Sequence, residues 1–133
     1  MAATGNCPAP LITRSLRCDT NLSAKAHYLV NFDTSDEQIV NLATDATLPI
    51  FVIDDAQDGS SAEANATVIF LGGAWVKLGG TVAQGDPITA TTGGVGVEST
   101  TDGDWIVGYA LEAGVSGDEI PVMVCPCKAS VPA

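Results

Sequence analysis

Residues 76–100 read VKLGGTVAQGDPITATTGGVGVEST, and the way this run folds decides the class of the whole chain. Apolar side chains alternate with polar ones for a few positions at a time, as at Val76 and Leu78, Ile88 and Ala90, and Val95 and Val97. A period of two sends successive side chains to opposite faces of a strand, so short alternating runs predict β-strands. Each run is cut short by turn formers: Gly79-Gly80, Gly85-Asp86-Pro87 and Gly93-Gly94. Proline at the first position of a strand costs no needed N–H, and a Gly-Gly pair between two runs is a hairpin signal.

The same pattern extends in both directions. It predicts ten strands: LITRSL (11–16), HYLVNF (27–32), QIVNLA (38–43), LPIFVI (48–53), TVIFL (67–71), WVKL (75–78), DPITAT (86–91), GVGVE (94–98), WIVGYAL (105–111) and EIPVMV (119–124). Gly72-Gly73 and Gly79-Gly80 read as further hairpin turns, and Asp102-Gly103-Asp104 as a turn. SSAEANA (60–66) would tolerate a helical turn but reads better as a loop. The expected fold is therefore all-β, a small barrel or sandwich of about ten short strands with an extended N-terminal arm.

The segment 22–33 can be set beside 82–93, and the order turn, strand, strand, strand, acidic loop, strand then recurs at an offset that drifts from about 60 to about 54 residues. The chain is accordingly divided into an arm (1–20) and a single β domain (21–133), with pseudo-repeated halves at 21–71 and 81–124.

Composition supports one packed domain: of 133 residues 46% are hydrophobic and only 5% aromatic, so the interior must be aliphatic. The net charge of -11 repels phosphate backbones, so no nucleic-acid partner is expected. The charge is also uneven. Residues 1–27 carry Arg14, Arg17 and Lys25 against Asp19, whereas the remainder sets 15 acids against Lys77 and Lys128. A mildly basic arm on an acidic body suits docking on an acidic partner or neighbouring subunit, or else is an ordinary first strand. MAATGNCPAP has neither a basic nor an apolar signal region, and no apolar run is long enough to span a bilayer; synthesis and folding in a cytosol and no membrane partner are expected.

Chemistry-bearing residues are sparse. His27, the single histidine, reads as a structural or interface residue, because no Ser or Cys stands in a strand-turn-helix elbow. Asp54, Asp55 and Asp58, and Asp102 with Asp104, read as solvated acids of turns; the first group is the one from which a small hydrolase would have to be built. Cys7, Cys18, Cys125 and Cys127 lie near the two ends, without the C-x2-C spacing of a zinc site, and can be free thiols, disulfide partners or metal ligands. No cofactor is expected, because "GGVG" is followed by no helix that could cradle a phosphate.

The runs GGTVAQGDPITATTGGVGVE and GDWIVGYALEAGVSGDEIPVMV, within residues 72–124, resemble the capsid decoration (cement) proteins of tailed bacteriophages. The likeness is most specific at Gly85-Asp86-Pro87, from Ile106 to Gly108, from Ala110 to Ala113 and from Gly117 to Val124, while the "CPC" end departs from it. The resemblance implies a small β-rich structural protein and says nothing about catalysis; that the chain is not an enzyme is expected from the sparse chemistry-bearing residues alone. It would sit as a homotrimer on the outer surface of a phage head, with the major capsid protein as partner, after assembly in the host cytoplasm. For the capsid contact, Leu11, Ile12, Arg14, Leu16 and Arg17 are the candidates, the arginines pairing with capsid acids. Trp75, Trp105 and Tyr109 are candidates either for an interface or for the core. A virion-associated β module that binds a receptor or glycan through Trp75 or Trp105 is the competing reading.

Overall fold

A computed structural model describes residues 7–18, 22–34, 37–56 and 65–129. Nine strands follow one another: β1 (Pro10–Cys18), β2 (Leu29–Phe32), β3 (Ile39–Leu42), β4 (Phe51–Ala56), β5 (Asn65–Lys77), β6 (Pro87–Thr91), β7 (Val95–Glu98), β8 (Trp105–Ala110) and β9 (Glu119–Lys128). No helix occurs among the described residues, and the protein is all-β.

The longest strand departs from the sequence reading. The expected hairpin at Gly72-Gly73 does not form; the two runs fuse into the 13-residue β5. The glycines serve a close crossing instead. A Cβ on Gly73 would stand 2.0 Å from the Pro8 carbonyl oxygen, and one on Gly72, at φ 109°, would stand 2.5 Å from the Leu11 nitrogen. Only backbone without side chains lets the N-terminal segment pass this close. Gly79-Gly80 forms no hairpin either, because Gly79 donates to the Gly96 carbonyl at 2.8 Å and Val82 bridges to Gly114. At the other end, β9 runs on past Val124 and takes the "CPC" into a strand.

All nine strands belong to one sheet in the order β1-β3-β2-β4-β5-β9-β8-β6-β7, with β1 also paired to β5. That last pairing closes β1, β3, β2, β4 and the first half of β5 into a five-stranded barrel. The second half of β5, with β9, β8, β6 and β7, curls in the same manner and is joined by the parallel bridge Leu78↔Gly96.

The two units repeat register for register. In the first, Leu16 pairs with Ala66 and Cys18 with Val40; in the second, Val76 pairs with Ile120 and Leu78 with Gly96. Leu29↔Val52 and Val52↔Ile69 correspond to Pro87↔Tyr109 and Tyr109↔Met123. The turns repeat too: His27 N–H donates to Ile53 O at 2.7 Å as Gly85 N–H donates to Ala110 O at 2.8 Å. Ala43 N–H likewise donates to Leu29 O as Ser99 N–H does to Pro87 O. The offset falls from 60 residues (Leu16 to Val76) to 54 (Val68 to Val122).

Each unit has an aliphatic interior. Leu16, Cys18, Leu22, Val30, Val40, Ile53, Ala66 and Val68 fill the first barrel. The corresponding Val76, Leu78, Val82, Ile88, Ala110, Ile120 and Val122 fill the second and form one cluster with Leu29, Val52 and Ile69 from the outer wall of the first. Burial of each such Val, Leu or Ile side chain contributes about 1.5–3 kcal/mol before conformational entropy is counted.

Candidate interaction surface

β1 carries the residues expected to contact a capsid. Along Pro10–Cys18 only positions 16 and 18 are buried. Leu11 is 75% exposed and Ile12 is 52% exposed, and Ile12 stands opposite the exposed Leu71 on β5. Leu16 is 2% exposed and packs inside the first barrel, so it is not available to a partner: alternation turns Leu16 and Cys18 inward and Ser15 and Arg17 outward. The arginines are exposed and anchored: Arg14 Nη2 donates to Gln38 Oε1 at 3.3 Å and Arg17 Nη2 to the Glu37 carbonyl at 3.4 Å. Each bond engages the Nη2 of its guanidinium and leaves further donors of the five for a carboxylate.

One end of the first barrel lies next to this strand. Phe32, Phe51 and Phe70 close it, with ring centroids 5.2 Å apart for Phe32–Phe51 and 4.7 Å for Phe51–Phe70. Phe32 remains 40% exposed. Arg14, paired in register with Val68, and its partner Gln38 complete the rim. Sequence reasoning missed this cluster, because three phenylalanines 19 residues apart in the chain converge only when the barrel closes.

The cysteines are four free thiols. Cys18 is fully buried in the first barrel. Burial pushes the Cys7, Cys18 and Cys125 thiols above the usual range; the neighbouring Cys127 adds to the effect at Cys125, and Asp54 adds to it at Cys7 against a backbone N–H that opposes it. No three metal-binding side chains gather among the described residues.

His27 lies in a turn rather than in a strand, at φ 74°. Its ring Nδ1 meets the Glu119 carboxylate, and its carbonyl accepts from Lys77 N–H at 2.9 Å. Both partners belong to the second unit, so His27 ties the units together. Asp54 and Asp55 fall within β4, exposed, rather than in a loop; Asp58 lies outside the described residues. Asp102 is an exposed turn residue and Asp104 is half-buried. Trp105 packs on the core with Lys128 Nζ 5.8 Å from its ring centre. Trp75 is half-buried and lines an open groove with Cys7, Pro8, Pro10, Asp54 and Ile69. Tyr109 is 44% exposed on β8.

No protein-family model and no curated protein matches the chain. Among solved structures, it is similar to the head fiber gp8.5 N base of bacteriophage phi29, with a TM-score of 0.65 and 20% sequence identity over 86% of this chain and 93% of that one. At that identity the likeness is one of fold.

Proposed function

We propose that the protein is a structural component of a bacteriophage particle: a capsid decoration (cement) protein that binds the outer surface of the head as a trimer and stabilises contacts between capsid subunits. Its role is binding rather than turnover, and its partner is the major capsid protein. The observation that carries this reading is the fold shared with a phage head-fiber base over 86% of the chain. The resemblance of residues 72–124 to decoration proteins supports it from the sequence. Exposed Leu11 and Ile12, flanked by Arg14 and Arg17, supply an apolar contact with a cationic border. Three such contacts on one lattice point gain avidity without any one of them being tight. The acidic remainder keeps particles apart in solution.

Co-sedimentation with heads of the encoding phage tests the proposal. The wild-type chain pellets with heads, and Leu11→Asp with Ile12→Asp reduces the bound fraction at least tenfold. Arg14→Glu with Arg17→Glu weakens binding most at low salt, where screening is least. A wild-type chain that stays in the supernatant, while glycans perturb Trp75 fluorescence, would point instead to the receptor-binding module.

A further inference from the structure

The internal repeat exposes a face whose counterpart is covered. In the first unit, the row Leu29–Val52–Ile69 runs across β2, β4 and β5 on the outside of the barrel, and all three residues are at most 1% exposed. What covers them is the end of the second barrel. At that end, the positions equivalent to Arg14, Gln38, Phe32, Phe51 and Phe70 are Ala74, Gly94, Ala90, Gly108 and Val124. Every side chain that closes the first barrel is replaced by a smaller one. The second barrel is therefore open at this end and takes the wall of the first as its plug. Leu29 N–H donates to the Gly94 carbonyl at 2.7 Å, and a Cβ on Gly94 would stand 2.7 Å from the Leu29 oxygen.

The wall of the second barrel has no such cover among the described residues. Its equivalent row is Pro87–Tyr109–Met123, paired across β6, β8 and β9. Tyr109 is 44% exposed and Met123 is 37% exposed. Tyrosine and methionine are enriched at the centres of protein interfaces, and a contiguous exposed apolar row marks a contact site. The fold itself indicates the occupant, since the one covered wall of this kind is covered by a barrel end. The equivalent end of the first barrel, closed by the three phenylalanines, faces outward with Phe32 40% exposed.

We propose that the Pro87–Tyr109–Met123 wall is a self-association surface that receives the Phe32-bearing barrel end of a second copy. Because that end is already filled, the contact is flat, aromatic ring against Tyr109 and Met123, and shallower than the internal one. It is heterologous: each copy offers one wall and one end. Contacts of this kind close into a ring where the rotation allows and otherwise extend into a filament. The proposal rests on the oligomeric part of the function proposed above, but its geometry comes from the repeat alone.

Sedimentation velocity on the full chain tests it, with circular dichroism and melting as controls for folding. The wild type assembles beyond a monomer. Tyr109→Glu with Met123→Glu gives a monomer that melts as the wild type does. Phe32→Glu also gives a monomer, and the milder Phe32→Gln weakens assembly should Phe32→Glu fail to fold. The decisive sample mixes a wall variant with a rim variant, since each retains one good surface. A one-to-one dimer is expected, and assembly stops there. A wild type that stays monomeric at all concentrations, wall variants that still assemble, or a mixture that stays monomeric overturns the proposal. Assembly that is intact while binding to heads is absent counts against the capsid role and leaves this surface standing.

Discussion

At the scale of single residues, burial rather than chemical type decides what each side chain can do. Leu11, Ile12 and Leu16 are the same kind of side chain on one strand, yet only the first two are exposed. The cysteines follow the same rule. With their thiols pushed up by burial, Cys125 and Cys18 hold their protons at a pH where a free thiol has begun to ionise. Alkylation of native protein is therefore expected to be slower than that of a model thiol near neutral pH, with Cys125 rising above the ordinary thiol range and Cys18 silent until unfolding. Peptide mapping after a pH series of iodoacetamide labelling reads both; Cys18 labelled as fast as Cys125 would contradict the packing. The sign also bears on stability. A folded-state value above the unfolded one means that stability is intact below the unfolded thiol's range and falls as pH rises through the folded one. The inward direction of Leu16 was not legible in the sequence. Alternation gives two faces, but which face points inward is set by the partner strand, here through Leu16↔Ala66.

At the scale of elements, β5 joins the two barrels, and its Gly72-Gly73 pair governs the junction. A Gly-Gly pair between apolar runs signals a hairpin locally. The fact that outweighs the signal is non-local: the Pro8–Leu11 backbone crosses directly over these residues. Gly73→Ala puts a methyl group against the Pro8 carbonyl and is expected to cost about 1–3 kcal/mol. Gly80→Ala, whose Cβ would stand 3.4 Å from Val97 Cγ1, is the control and should be close to neutral. Denaturant melts compare the two, and equal stabilities would mean that the crossing is not tight. Other features were legible from sequence because they depend on local patterns: the strands from β6 to β9 and the hairpin at Gly93-Gly94 follow from alternation and turn residues. The fold class followed from these. The exchange of Phe32, Phe51 and Phe70 for Ala90, Gly108 and Val124 was in the sequence too, but had no meaning until register aligned the positions.

At the scale of the molecule, two copies of one small barrel share a strand and pack end against wall, with His27 and Glu119 across the seam. The arrangement leaves a cationic, apolar strand at one end and an apolar row on the far wall, on a chain of net charge -11. On the proposals above, Leu11, Ile12 and Arg17 serve the capsid, and the Tyr109–Met123 row serves a second copy. The central claim is that this lattice is the outside of a phage head. Immunogold electron microscopy of particles from a lysate, with antibody raised to this chain, tests it most directly. The account predicts gold spread over the heads of intact particles; gold confined to tails, or particles that carry none while the protein is present in the lysate, would contradict it.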